Sequence, residues 1–234
     1  MINKQSSDKT SRGKFIVIEG LDGSGKSTLA KSLSEHLNQA GKKTLLTRQP
    51  GGTNIGQKIR EILLDKNNKE LSKKTELLLF AADRAQHVDE FIKPNLGNGI
   101  NIICDRYIYS NLVYQGLSPK FTDEEEKNYY IETINTINNI ATSGLKPDLV
   151  IVLDLSLEKR EERLSARYSE SKETDKDRIE LFNEDFHQNV RAGFTNLSHY
   201  FPEQKFCLIN ADKPQLELLN EALIQLERIL SDES

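Results

Sequence analysis

Residues 18–28 read IEGLDGSGKST, and within them Gly20 to Ser27 fit the pattern G-x-x-x-x-G-K-[ST]. Each position has a chemical reason. Glycines at 20, 23 and 25 let the backbone take positive φ and turn its N–H groups inward as an anion nest. A helix opening near Lys26 adds the positive end of its dipole. Lys26 brings a full charge to the β- and γ-phosphates, and the Ser27 hydroxyl is placed to bind Mg²⁺. Gly20, Leu21, Asp22, Gly23, Ser24, Gly25, Lys26, Ser27 and Thr28 are therefore the expected binding set for a nucleoside triphosphate. The pattern names only a superfamily, which includes switches, motors and pumps.

The recipient of the phosphoryl group has to be sought elsewhere. Asp22 is a first hint, because a carboxylate inside an anion-binding loop opposes triphosphate binding unless it has another task. It could hold a magnesium-bound water or accept a hydrogen bond from the sugar of a second substrate. In ELLLFAADRAQHVDEFI, Leu78, Ala81, Ala85, Val88 and Ile92 fall on one helical stripe and read as core. Phe80, Arg84, His87 and Phe91 fall on the adjacent stripe, and a ring one turn from an arginine suits stacking on a flat base and bonding its edge. The stretch IICDRYIYSNLVYQG ends a strand at Asp105, an acid well placed to act on magnesium or its waters, followed by Arg106 at the crevice where open α/β sheets bind ligands. With 107–115 helical, Tyr107, Ser110, Asn111, Tyr114 and Gln115 share one side, and the two amides can read a base edge. A hydrolytic switch has no use for that set. An enzyme with a second nucleotide does.

Residues 161–180, EERLSARYSESKETDKDRIE, are dense in charge and follow the fourth expected strand. Arg163, Arg167, Lys172, Lys176 and Arg178 there suit a lid that excludes water and neutralises charge spreading over a transferred phosphoryl group.

These groups need a scaffold. Short β-branched runs at 14–20, 43–49, 99–105, 147–155 and 204–211 alternate with helical patterns from 26 to a stop at Gly41 and at 53–65, about 75–93, 122–143, 157–168, 178–201 and 214–230. Thr122 and Glu125 have the spacing of a capping box. The alternation predicts an α/β fold, a five-stranded parallel sheet with helices on both faces, in one domain over 13–234 with a lid at 165–178 and a disordered tail at 1–12. The formal net charge of −4 over 234 residues argues against general nucleic-acid binding. No apolar run suits a membrane span or a signal peptide, so a soluble, cytoplasmic protein is expected. Cys104 and Cys207 sit in apolar runs and read as small buried residues, and the four histidines show no ligand spacing.

Together, IEGLDGSGKST, TRQPGGT (47–53), FAADRAQH, DRYIYSNLVYQG and DRIE (177–180) resemble, in order, the motifs of the thymidylate kinases, over about residues 14–230. That resemblance implies a P-loop fold of the nucleoside-monophosphate-kinase type and transfer of a phosphoryl group from ATP to dTMP with Mg²⁺. It implies that Lys26 and Ser27 bind ATP phosphates and Mg²⁺, that Asp22 lies near the acceptor's sugar and phosphate, and that Phe80 and Arg84 hold thymine. Arg106, helped by Arg48, would hold the dTMP phosphate, and Ser110 counts among the substrate-binding residues. Asn111 and Gln115 would face the base, and Tyr114 would crowd the sugar 2′ position. Arg167 is the first choice for a catalytic lid arginine, ahead of Arg163 and Arg178, and NADKP (210–214) would border adenine. A homodimer is implied too, with the stripes at 53–65 and 75–93 as interface or core. Gln49 stands where the family usually has glutamate. A sibling kinase for a deoxynucleoside or another monophosphate, and an acceptor-free switch, are the rival readings. The absence of an N-K-x-D sequence counts against a GTPase.

Overall fold

The computed structural model describes residues 12–170, 178–180 and 182–231. Five strands form one all-parallel sheet in the order β2-β3-β1-β4-β5: β1 Phe15–Gly20, β2 Thr44–Arg48, β3 Asn101–Asp105, β4 Leu149–Asp154 and β5 Phe206–Asn210. The central strands are buried on both faces, which is why they read as unbroken apolar runs. Alternate residues go to opposite layers. Phe15, Val17, Ile102, Cys104, Val150 and Val152 pack with Val88, Ile92, Tyr109 and Phe194 on one side. Ile16, Ile18, Ile103, Ile151 and Leu153 pack on the other against α1 (Lys26–Gln39) and α10 (Gln215–Ser231), meeting Leu29, Leu33, Leu218 and Leu226. Each fully buried side chain of this size contributes about 1.5–3 kcal/mol.

Seven further α-helical segments, α2 Asn54–Leu64, α3 Lys73–His87, α4 Lys93–Gly97, α5 Ile108–Asn111, α6 Glu124–Thr142, α7 Leu157–Glu170 and α8 Glu184–Thr195, precede a single turn, α9 Leu197–Tyr200. Wider π-helical turns, Val88–Ile92 and Leu112–Leu117, continue α3 and α5. The helix expected over 178–201 is corrected at both ends. Asn183 caps α8 by accepting from the Phe186 N–H at 3.0 Å, a local bond that displaces the helix start to Glu184, and the helix breaks at Asn196. The cap of α6 is Asp123 with Glu126, one residue later than expected: Asp123 accepts from the Glu126 N–H at 2.8 Å, and Glu126 accepts from Thr122 N at 2.8 Å.

Arg12, assigned to the tail, pairs with Asp148 at 3.1 Å, while the rest of that stretch lies outside the described residues. Of the expected lid, 165–170 continue α7 and Arg178 is described, whereas 171–177, with Lys172 and Lys176, lie outside. Leu78, expected in the core, is 58% exposed; Leu77 is buried in its place. Cys104 is buried and Cys207 half-buried, and both are free thiols. No helix among the described residues is long and apolar enough to cross a membrane.

Candidate active site

The phosphate loop lies between β1 and α1. Its glycines 20, 23 and 25 take φ of 140°, 85° and 90°. At Gly20 a side chain is excluded twice, by its φ and because a Cβ would lie 2.5 Å from the Leu153 carbonyl oxygen. Lys26 is buried, and its Nζ donates to the Leu21 carbonyl at 2.7 Å. Burial and the Arg106 charge push its ammonium down to about 8 against the opposing pull of Asp22 and Asp105. Ser27 Oγ donates to Asp105 Oδ2 at 2.5 Å, and Asp105 Oδ1 is buried with no partner among the described residues. A hydroxyl and a carboxylate with an unused lone pair form an oxygen donor set that fits Mg²⁺.

Arg106 leaves β3 with φ of 71°, a strained conformation for a residue with a side chain. Its surroundings hold it there. Its guanidinium donates to Gly20 O (3.1 Å), Ser110 Oγ (2.9 Å) and Asp22 Oδ1 (2.6 Å), and lies 5.2 Å from the centre of the Tyr114 ring. Burial works to raise the Asp22 carboxyl, yet Arg106 and Lys26 outweigh it and hold Asp22 well below the usual carboxylate range. Asp22 therefore stays charged as the partner of Arg106. Beneath this pair is Glu19, fully buried at the end of β1, which accepts from Tyr107 N (2.8 Å), Ser110 N (3.2 Å) and Ser110 Oγ (2.5 Å). Burial raises its pKa, and those bonds with Arg106 oppose the rise.

Phe80, Arg84, Arg106, Tyr107, Ser110, Asn111, Tyr114 and Gln115 line one cavity, together with Asp83 and Ile179. Arg84 is buried and donates to Asn138 Oδ1 at 2.8 Å and to Tyr107 O at 3.4 Å. Its Nε and Asn111 Oδ1 are buried without a partner among the described residues. Asn111 Nδ2 donates to Gln115 Oε1 at 2.9 Å, and Gln115 Nε2 donates to Glu76 Oε1 at 2.7 Å. The phosphate loop and Arg48, Arg163, Arg167, Tyr168, Glu180 and Gln215 line a second cavity. Arg48 belongs to this second cavity and does not line the first. Asp22, Gln49, Arg60 and Arg106 line both, so the two cavities meet at these four residues.

Sequence reasoning missed Glu19, Arg60, Glu76, Asp83 and Glu180. Glu19 had a signal, the single acid in an otherwise apolar strand. Arg60 resembled an ordinary surface charge on α2. Gln49 bonds His87: its Nε2 lies 2.9 Å from Nδ1, and Thr47 Oγ1 lies 2.7 Å from Nε2. Burial, with Arg84 nearby, pushes His87 down to about 4, so a neutral imidazole faces a neutral amide. A glutamate at 49 would instead favour the charged ring.

A parallel sheet carrying a P-loop, with a second cleft meeting the phosphate-loop cavity, fits the nucleoside-monophosphate-kinase class of phosphotransferase. Residues 18–222 match the family model described as thymidylate kinase. The chain is 39% identical over 216 residues to the thymidylate kinase of Desulfosudis oleivorans, covering 92% of this chain and 97% of that protein. It is 39% identical over 219 residues to that of an Exiguobacterium species (93% and 96% covered) and 42% identical over 199 residues to that of Caldanaerobacter subterraneus (85% and 88%). The chain belongs to the thymidylate kinase family.

Proposed function

We propose that this chain carries out the reaction of its family, transfer of the γ-phosphoryl group of ATP to dTMP to give dTDP and ADP, in the cytoplasm and as a homodimer. The observation that carries the residue-level reading is the junction: Asp22, Gln49, Arg60 and Arg106 border both cavities, where a group passing from one nucleotide to the other has to lie. The phosphate loop takes the donor. Phe80 stacks on the thymine, Arg84 and the Asn111 and Gln115 amides bond its edge, and Tyr114 crowds the sugar 2′ position. Arg106 holds the acceptor phosphate at the junction.

A phosphate monoester has a second pKa near 6, so an acceptor oxygen is already ionised near neutral pH. No strong general base is needed, and the chain's task is alignment and charge neutralisation. Lys26 and Arg106 supply charge from two sides, and Arg167 supplies it from the lid. Ser27 and Asp105 would hold Mg²⁺, which neutralises charge on the donor phosphates when bound. For the homodimer, Ile55 and Ile62, two turns apart on α2, and Leu78 on α3 leave apolar side chains 51%, 45% and 58% exposed.

An acceptor panel tests this reading against a sibling kinase. With ATP and magnesium, dTMP is expected to give the highest kcat/KM among dTMP, thymidine, dUMP, CMP and AMP. A preference for thymidine would overturn it.

A further inference from the structure

The lid arginine is held from an unexpected direction. Arg167 Nη2 donates to Glu180 Oε1 at 2.6 Å and to Tyr168 Oη at 2.8 Å, while Tyr168 Oη bonds the other Glu180 oxygen. Glu180 is 6% exposed and Arg167 50% exposed, so a buried carboxylate anchors a half-exposed cation. Two residues earlier, Arg178 turns instead toward α2 and α3. It pairs with Glu76, and its Nε donates to Leu63 O at 3.1 Å. Glu76 Oε1 accepts from Gln115, which accepts from Asn111, both in the wall of the acceptor cavity. Ile179, between the two charged residues, lines that same cavity.

Ile179 in the acceptor cavity and Glu180 in the donor cavity are thus adjacent in the chain, with Arg178 tied through Glu76 to Gln115. Because the pairs Arg178–Glu76 and Arg167–Glu180 flank Ile179, which lines the acceptor cavity, Glu180 cannot shift far without moving Ile179 or breaking the Glu76 pair. A carboxylate that accepts from both Arg167 and Tyr168 restricts the arginine's rotamers. A guanidinium has five N–H donors, and among the described residues Arg167 donates through Nη2, which leaves the Nη1 and Nε donors for the donor phosphates.

We propose that residues 178–180 form a strap anchored at Glu76, which bonds Gln115 from behind the acceptor wall, and that Glu180 is a positioning residue that sets Arg167 in the donor cleft. The proposal rests on reading Arg167 as the lid arginine that meets the transferred phosphoryl group. It adds two residues, Glu180 and Glu76, that do not touch that group. Their effect on turnover then has to pass through Arg167, whereas Glu76 also supports Gln115 and so acts on acceptor binding directly.

A double-mutant cycle on the full chain tests this, since residues acting through one another are not additive. Glu180→Gln is expected to lower kcat roughly tenfold or more, with KM for both nucleotides within about twofold of wild type and an unchanged far-UV spectrum. Glu76→Gln is expected to lower kcat and raise KM for dTMP. In the Arg167→Ala background neither change should lower kcat by more than about twofold, while the KM effect of Glu76→Gln should persist. Should Glu180→Gln fail to fold, Tyr168→Phe enters the same cycle. Wild-type kcat in Arg167→Ala would overturn the reading of Arg167 itself. An impaired Arg167→Ala in which the Glu180 and Glu76 losses multiply in full would overturn the strap alone.

Discussion

Arg106 carries the most at the scale of single residues. Its strained backbone, its ion pair with Asp22 and its bond to Ser110 form one unit, supported from below by the buried Glu19. Burial lowers the charge-bearing tendency of such groups, but mutual pairing outweighs it for Arg106, whose charge Asp22 locks in place. Arg106→Gln keeps a polar side chain but shortens it and removes the charge. It is expected to lower kcat/KM for dTMP by about 10²–10³-fold, the size seen for losing one electrostatic donor, as steady-state kinetics with varied dTMP will show. An unchanged value would move the acceptor phosphate elsewhere. Gly20, Lys26 and Ser27 were legible in the sequence because they belong to one contiguous motif. Glu19 showed only as a lone acid in an apolar strand and Glu76 not at all, because each meets its partners across long separations: 88 residues from Glu19 to Tyr107 and 102 from Glu76 to Arg178. A single sequence offers no periodicity for such pairs.

At the scale of elements, α3 shows why the fold read better than the site. Its three consecutive leucines, 77 to 79, allow more than one apolar stripe, and the reading that placed Leu78 inward fails because the inward face is largely polar. Asp83, Arg84 and His87 are buried there to hold the site, with Asp83 accepting from Gly51 N at 2.8 Å. Gly52 lets β2's following turn approach this face, since a Cβ would lie 2.4 Å from His87 Nε2. The central strands gave no such trouble, because continuous apolar runs bury both faces whatever the register. His87 gives this contact a pH dependence. Its native pKa of about 4 lies below the unfolded value of about 6.5. Between these values the unfolded chain holds a proton that the native chain refuses, so this contribution favours folding at high pH and is lost as pH falls from about 6.5 toward 4. At pH 5 the loss is about 2 kcal/mol. Urea unfolding at pH 7 and pH 5 is expected to show this difference, and His87→Asn, already less stable at pH 7, should show correspondingly less of it. Equal pH sensitivity in both proteins would contradict the assignment.

At the scale of the whole molecule, the parallel sheet sets two cavities along one rim and lets four residues border both. The same sheet leaves Ile55, Ile62 and Leu78 exposed on α2 and α3. If they meet a second copy, Leu78→Glu should turn a dimer into a monomer in light scattering at micromolar concentration; a wild-type monomer would remove that assignment. The central claim is that the two cavities act as one site, so that the donor's phosphoryl group leaves only for the acceptor. ADP and dTDP are best followed together, with ATP and magnesium present and dTMP added or withheld. The account expects ADP to form in step with dTDP, one for one, and to be nearly absent without dTMP. ADP released at the same rate with and without dTMP, with no dTDP, would contradict it.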